Sequence, residues 1–162
     1  MLETNKVGAG RNKWYFTVNE EKTKYIDRRK NMLRTGILNP QINSLISIVR
    51  HNNLLVIADR GFTYFPQVEI VDISLVDDVP TVLQVFNAVK SNFDICEIYM
   101  ADEFKLENTA EVQESYSKAV GSILVTFEPS ADMKKRVPQA VGIIRTGDTI
   151  QYANMILVSG KV

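Results

Sequence analysis

The sequence predicts an α/β fold, a single-domain three-layer α/β/α sandwich with a mostly parallel sheet, and three observations support this prediction. From residue 32 onward, short apolar runs alternate with segments of helical periodicity. One run, LLVIAD (54–59), is apolar almost throughout, which is typical of a strand buried on both faces of a parallel sheet. A length of 162 residues with 45% apolar residues suffices for one ordinary domain with a full core.

The first predicted helix lies within LNPQINSLISIVRHNN (38–53). Asn39 is a favourable N-cap, and Pro40 suits the first helical position. One apolar face follows at the spacing i, i+3, i+4, i+7, formed by Ile42, Leu45, Ile46 and Val49. We expect this helix to end near His51, and a turn beginning at Asp59 to close the strand that follows.

The same alternation continues toward the C-terminus. Strands are predicted over residues 68–75, 96–102, 122–127, 141–145 and 152–158, and helices over residues 80–93, 108–121 and 130–136. The helix over 80–93 is expected to direct five apolar side chains inward: Val82, Val85, Phe86, Val89 and Phe93. In sheets of this kind ligands bind beyond the carboxyl ends of the strands, so Asp59 stands at a candidate site.

Residues 1–31 differ in charge from the rest of the chain. They carry eight Lys or Arg against four Asp or Glu, whereas the whole chain has a formal net charge of zero. Neither helical nor strand periodicity is sustained there, so we interpret them as a partly flexible N-terminal extension of a domain that spans residues 32–162. A net charge of plus four only weakly supports an arm for nucleic acid, and the overall balance argues against a broad phosphate-binding surface.

Composition also excludes several classes of site and location. No run approaches the roughly 18 apolar residues of a membrane span, and residues 1–31 lack the apolar region of a signal peptide, so we expect a cytoplasmic protein without membrane contact. Cys96, the one cysteine, is interpreted as a buried, reduced core thiol. Glycine-rich phosphate-binding motifs and metal-ligand spacings are missing, so we expect no cofactor and no metal.

Two candidate catalytic groups remain, and each has a structural interpretation as well. His51 is the only side chain whose ordinary pKa lies near neutrality, yet an imidazole also suits the C-terminal end of the first helix as a cap. Asp59 is either a pocket carboxylate or a turn residue that accepts the amides of Arg60 and Gly61. From the residues alone, both alternatives stay open.

The C-terminal third holds candidates with the same ambiguity. Tyr152 is expected as a half-buried strand aromatic and Asn154 as a polar group at a strand edge. The basic residues of the helix over 130–136 are interpreted as a solvated face, made by Lys134, Lys135 and Arg136.

Three segments together resemble one known family. They are MLRTGILNPQINSLISIVRHNNLLVIADRGF (32–62), VDISLVDDVPTVLQVF (71–86) and GIIRTGDTIQYANMILVSG (142–160). In these segments the chain resembles the D-ribose pyranase and L-fucose mutarotase family of sugar-ring isomerases, over residues 32–162. The tyrosine–alanine–asparagine sequence near the end is closer to the pyranase branch.

The resemblance implies roles for particular residues. It implies that His51 is the catalytic proton donor, that Asp59 binds the sugar, and that Tyr152, Ala153 and Asn154 line the sugar pocket. Pyranases typically carry a second histidine at the start of the short helix before the arginine–threonine–glycine segment, and that substrate-binding position here is Ser130. The resemblance also implies ring-shaped homo-oligomers of the decamer type, with sites near subunit contacts.

The expected function is therefore that of a monosaccharide ring isomerase. Such an enzyme interconverts pyranose and furanose forms, or anomers, of a free aldose such as D-ribose or L-fucose by general acid–base catalysis. The alternative is a non-catalytic sugar-binding or regulatory module that keeps the family pocket, and Ser130 is the best argument for it. A third hypothesis, an oligomeric scaffold with a basic arm, rests only on residues 1–31.

Overall fold

The computed structural model describes residues 36–92 and 94–160, and six segments of this part of the chain pair as one sheet. The strands are β1 (Leu54–Ala58), β2 (Glu69–Asp72), β3 (Ile95–Ala101), β4 (Leu124–Glu128), β5 (Ala140–Arg145) and β6 (Met155–Ser159). Their order in the sheet is β2-β5-β1-β6-β3-β4. Every neighbouring pair is parallel except the two that involve β6. The predicted mostly parallel α/β sheet is confirmed.

β6 runs against its neighbours because of the chain that leads into it. β5 ends at Arg145, at the carboxyl edge of the parallel strands, and β6 begins at Met155 after a short connection. A short connection returns the chain at the same edge, so the next strand has to run the opposite way. As a result, the segment that precedes β6 lies at the edge where the five parallel strands end.

Five helices pack on the two faces of the sheet within the described residues. They are α1 (Pro40–Ser47), α2 (Val82–Lys90), α3 (Glu103–Glu107), α4 (Ala110–Val120) and α5 (Ser130–Arg136). The Asn39 side chain caps α1 as predicted, since it accepts the amides of Gln41 and Ile42 at 2.9 and 3.0 Å. Thr81 and Gln84 form a reciprocal capping box at the start of α2. None of these helices is long and apolar enough to cross a membrane.

The sheet separates two apolar clusters, and β1 contributes to both. Leu55 and Ile57 pack in the cluster that contains side chains of α1, α2 and α4. Val56 and Ala58 pack on the opposite face, in the cluster that contains Met133 of α5. All four strand residues are 0% exposed, so β1 is buried on both faces, as its apolar run predicts.

Several predicted boundaries are wrong for local reasons. α1 ends at Ser47 rather than near His51, because Arg50 and Asn53 close a separate turn in which the Arg50 amide donates to Asn53 Oδ1 at 2.6 Å. The last strand begins at Met155 rather than at residue 152, because Tyr152 has a left-handed φ of 57°. The short helix α3 was not predicted.

The remaining sequence predictions have mixed outcomes. Cys96 is half-buried rather than buried, with its thiol donating to the Val158 carbonyl at 3.5 Å. α5 has the predicted bounds, residues 130–136. The N-terminal extension over residues 1–31 and the inward-facing role of Phe93 concern positions outside the described residues.

Candidate active site

A cavity of about 220 Å³ opens at the carboxyl edge of the sheet, where the chain leaves β1 and β4 and enters β6. Four of the predicted site residues line it: Asp59, Ser130, Tyr152 and Asn154. Its other lining residues are Gly61, Phe62, Thr63, Lys134 and Gln151. Ala153 is 0% exposed and adjoins the cavity through its two neighbours in the chain. The cavity is smaller than the roughly 300–1,000 Å³ of pockets for drug-sized ligands, so it suits a small polar molecule.

The Asp59 carboxylate is held in place by its surroundings. Asn154 Nδ2 donates to Asp59 Oδ2 at 2.8 Å, and the Asp59 amide donates back to Asn154 Oδ1 at 2.8 Å. The Gly61 amide donates to Asp59 Oδ1 at 2.9 Å. The predicted turn bond to Gly61 is therefore confirmed, whereas the Arg60 amide donates instead to the Asp148 carbonyl at 3.2 Å. Asn154 is 8% exposed, so this hydrogen-bonded pair lies at the buried side of the cavity.

Partial burial raises the pKa of Asp59 above its ordinary value, and the nearby Asp148 carboxylate adds to this. The hydrogen bonds from Asn154 and Gly61, and the charge of Lys134, act in the opposite direction but do not cancel the effect of burial. In residues 36–92 and 94–160, no group of three or more His, Cys, Asp or Glu side chains is placed to hold a metal ion. The described side chains at this edge offer hydrogen bonds and a carboxylate that can exchange a proton.

The Tyr152 backbone turns the chain into β6 and sets the cavity wall. Its left-handed φ of 57° and the bond from the Ala153 amide to the Ile150 carbonyl at 3.4 Å make this segment a turn, not the predicted strand. Tyr152 is half-buried and packs against both apolar clusters. An aromatic side chain of this kind offers an apolar surface with a hydroxyl at its tip.

The sequence did not predict the two buried polar side chains, Thr146 and Asp148, that lie behind the cavity. Thr146 and Asp148 are 0% and 1% exposed. The Thr146 hydroxyl donates to the Ala58 carbonyl at 2.9 Å, while Asp148 accepts the amides of Val82 at 2.7 Å and Ile150 at 2.8 Å. These bonds connect the end of β1, the start of α2 and the chain before β6. Apart from Ile150, the partners lie far from Thr146 and Asp148 in sequence, so no local pattern indicates them.

Lys134 corrects the prediction of a solvated basic face. It is half-buried and lines the cavity. Its neighbours are occupied elsewhere: Lys135 pairs with Asp132 at 2.6 Å, and Arg136 binds Glu128 through two bonds of 2.7 and 2.9 Å. Lys134 stands one helical turn after Ser130, and this spacing was the signal that could have placed both on the cavity.

His51 lies at the other end of β1. It stands in the turn before Leu54, whereas Asp59 follows Ala58. The five residues of the strand separate the two ends by about 13 Å at the usual rise of about 3.3 Å per residue. His51 lines a separate, more open cavity of about 680 Å³ with Asn92, Asp94 and Gly160. Within one chain, the structure does not bring His51 to Asp59.

The interpretation of His51 as a helix cap is wrong. α1 ends before it, and the guanidinium of Arg50 donates to the carbonyls of Ser47 and Val49 at 2.8 and 2.9 Å. His51 is exposed, and no hydrogen bond of its side chain occurs within the described residues. Its imidazole is therefore available at the surface.

Comparisons with known proteins agree with this architecture. A model of the RbsD / FucU transport protein family matches residues 32–162. The D-ribose pyranase of Geobacillus kaustophilus is 37% identical over 129 residues, which cover 80% of this chain and 94% of that protein. The structure of Bacillus subtilis RbsD complexed with D-ribose aligns with a TM-score of 0.75 and 25% identity, covering 81% of this chain and 99% of that one.

A more distant structure shares the fold. The fucose mutarotase of Streptococcus pneumoniae, solved in complex with L-fucose, aligns with a TM-score of 0.67 at 17% identity. That alignment covers 82% of this chain and 99% of the mutarotase. With the family model matched over the whole domain, the chain belongs to the RbsD / FucU family.

Proposed function

We propose that this protein is a monosaccharide ring isomerase, which interconverts pyranose and furanose forms or anomers of a free aldose by general acid–base catalysis. The observation that carries the proposal is the small cavity whose lining residues include a carboxylate, two carboxamides, three hydroxyls and an ammonium group. Relatives named D-ribose pyranase and a fold neighbour bound to L-fucose support the same class of substrate. A free aldose presents hydroxyl groups in every direction, which such a lining recognises.

The reaction asks little of the protein beyond orientation and proton transfer. The ring opens when the anomeric hydroxyl loses a proton and the ring oxygen gains one. It closes when a hydroxyl attacks the aldehyde: the same hydroxyl on the other face gives the other anomer, and a different hydroxyl gives the other ring size. A positioned group with a pKa near 7 accelerates such steps by about 10²- to 10⁴-fold.

The residues at the carboxyl edge orient the sugar. Asp59 and Asn154 fix each other, so their remaining hydrogen-bonding capacity is directed at sugar hydroxyls. Tyr152 forms a wall with a hydroxyl donor, and Ser130 and Lys134 contribute from α5. His51 exchanges a proton with the ring or anomeric oxygen, directly or through water.

Because His51 and Asp59 stand at opposite ends of β1, we propose that His51 reaches the cavity from a second copy of the chain. The amino edge of one copy then meets the carboxyl edge of the next, a head-to-tail contact that closes into a ring. Exposed apolar side chains at both edges support this contact: Ile48, 52% exposed, beside His51, and Leu75, 78% exposed, in the loop after β2. Ring-shaped homo-oligomers of the decamer type are implied by the family resemblance, and a head-to-tail contact of this kind is compatible with a ring.

Ser130 favours the second candidate, a sugar-binding module without catalysis. A serine hydroxyl does not titrate near neutrality, so this position supplies a hydrogen bond and no proton transfer. Cytoplasmic location, and the lack of nucleic-acid and membrane partners, stay predictions from the sequence.

The test measures ring exchange directly. We expect magnetisation-transfer NMR on a panel of aldoses, D-ribose and L-fucose first, to show accelerated exchange that disappears in His51→Ala and in His51→Gln, which keeps the polar side chain but does not titrate. Circular dichroism confirms that both variants are folded. Exchange at the wild-type rate in a folded His51→Ala would contradict the catalytic assignment. A sugar-induced rise in Tm with exchange at the uncatalysed rate would establish the binding module instead.

A further inference from the structure

We infer that Ser159 is a positioning residue for His51, because its buried hydroxyl holds the turn that carries the imidazole. The turn comprises residues 50–53 and is called the His51 turn below. Ser159 ends β6, the strand beside β1, and is 5% exposed. The inference rests on the proposed role of His51 in proton transfer.

Ser159 is bonded to the His51 turn through both its side chain and its backbone. Its hydroxyl donates to the Arg50 carbonyl, with the Asn53 carbonyl 3.2 Å away as a second acceptor, and accepts the Asn53 amide at 3.1 Å. The Asn52 amide donates to the Ser159 carbonyl at 2.7 Å, and the Ser159 amide donates to the Asn53 carbonyl at 3.0 Å. Three of the four residues in the turn are therefore tied to Ser159, and the fourth is His51.

Among the described residues, only packing orients the imidazole itself. No hydrogen bond of the His51 side chain occurs within the described part of the chain. Its ring lies against Gly160, where an added Cβ would be 3.2 Å from Nδ1 and 3.3 Å from Cε1. The direction of the ring is therefore set by the backbone of the His51 turn and by the small residue next to Ser159.

This arrangement matters because proton transfer depends on distance. A general acid or base has to stand within hydrogen-bond reach of the oxygen it serves, about 2.6–3.2 Å. Loosening the His51 turn leaves the imidazole present but broadens the range of positions that it occupies. The expected effect is a lower turnover with the affinity for sugar unchanged, since the groups that bind sugar lie at the other end of β1.

The experiment is NMR relaxation of the His51 imidazole. Its signal is unambiguous, because the chain has one histidine and a histidine-labelled protein therefore gives one imidazole signal. In Ser159→Ala and in Ser159→Cys, which preserves size but weakens hydrogen bonding, we expect NMR relaxation to show a more mobile imidazole. We expect the exchange rate at saturating sugar to fall by about tenfold, as for a modest displacement of a catalytic group, with KM within twofold of wild type. Ser159→Thr, which keeps the hydroxyl, should restore both readouts.

Two further variants complete the design. Gly160→Ala should shift the imidazole signal and lower the rate without loosening the turn, because the added methyl group presses on the ring. Ser91→Ala is the control. Among residues 36–92 and 94–160, that exposed hydroxyl donates only to the Asn87 carbonyl in its own helix, at 3.0 Å, so its removal should leave both readouts unchanged.

Several results would overturn the inference. They are an unchanged imidazole mobility in Ser159→Ala, a raised mobility with a wild-type rate, and a folded Ser159→Thr that behaves like Ser159→Ala. If His51→Ala keeps the wild-type rate, the proposed function of His51 fails. The relaxation data still decide whether Ser159 holds the ring, so the two failures are distinguishable.

Discussion

The two ends of β1 carry opposite kinds of polar group. At the carboxyl end, Asp59 is half-buried, bonded by Asn154 and Gly61, and faces a cavity of about 220 Å³. At the amino end, His51 is exposed, without a hydrogen bond among the described residues, and borders an open cavity of about 680 Å³. A small cavity with a hydrogen-bonded carboxylate suits orientation of a ligand. An exposed imidazole suits insertion into a site that another copy supplies.

The largest expected effect tests whether the site forms within one chain or between two chains. His51→Ala and Asp59→Ala should each lose about 10²- to 10⁴-fold in exchange rate when purified alone. Co-expressed in equal amounts, they should recover about one quarter of the wild-type rate, because random assembly of a ring places an intact His51 beside an intact Asp59 at that frequency.

The measurement is magnetisation-transfer NMR on the co-expressed oligomer, with light scattering to give its mass. A mixture of the two separately purified variants, kept from exchanging subunits, is the control and should stay inactive. Co-assembled rings with no recovery of exchange would argue that His51 and Asp59 do not serve one site.

The second prediction concerns the cost of holding Asp59 in its site. Asp59→Asn should lower the exchange rate by about 10- to 100-fold, as for the loss of one charged hydrogen bond.

The same variant tests the raised pKa of Asp59. A raised pKa means that the Asp59 carboxyl group binds its proton more tightly in the folded chain than in the unfolded chain, so its ionisation destabilises the fold as pH rises above the ordinary pKa of 3.8. The Tm of Asp59→Asn relative to that of wild type should therefore rise as the pH increases from about 3 to about 7.

Asp72 provides a control of opposite sign. Burial acts to raise its pKa, but the hydrogen bonds from Ser74 and the charge of Arg145 outweigh it, and the net pKa is lowered. A lowered pKa stabilises the fold above the unfolded pKa, and this stability is lost as pH falls. The Tm of wild type relative to that of Asp72→Asn should therefore rise as the pH increases over the same range. A Tm difference that moves in the same direction for both variants would contradict the assigned cause.

The smallest expected effect compares two adjacent lysines. Lys134→Met should lower the exchange rate or raise KM by about three- to tenfold, since a partly solvated ammonium contributes about 1 kcal/mol. Lys135→Met is the matched control, because its ammonium pairs with Asp132 and is not part of the cavity lining. Equal exchange rates and KM values in the two variants would indicate that Lys134 does not contact the sugar and is solvated, as the sequence predicts.

Local patterns predicted most of the fold. The Asn39 cap, the buried strand before Asp59 and the exact bounds of α5 all depend on residues within a few positions of one another. The wrong or missing predictions share one cause, which is that periodicity does not report every contact or backbone angle. α3, the turn at Tyr152 and the early end of α1 depend on contacts or backbone angles that no periodicity shows. The roles of Asp148 and Lys134 depend on partners from other elements.

By itself, the sequence determined the class of fold, the place of Asp59 at the end of a buried strand, and the resemblance to a family of sugar-ring isomerases. Only the tertiary structure decided that β6 enters between β1 and β3, which brings Asn154 to Asp59. The physical reason is that strand order and direction depend on pairing between segments that are distant in sequence.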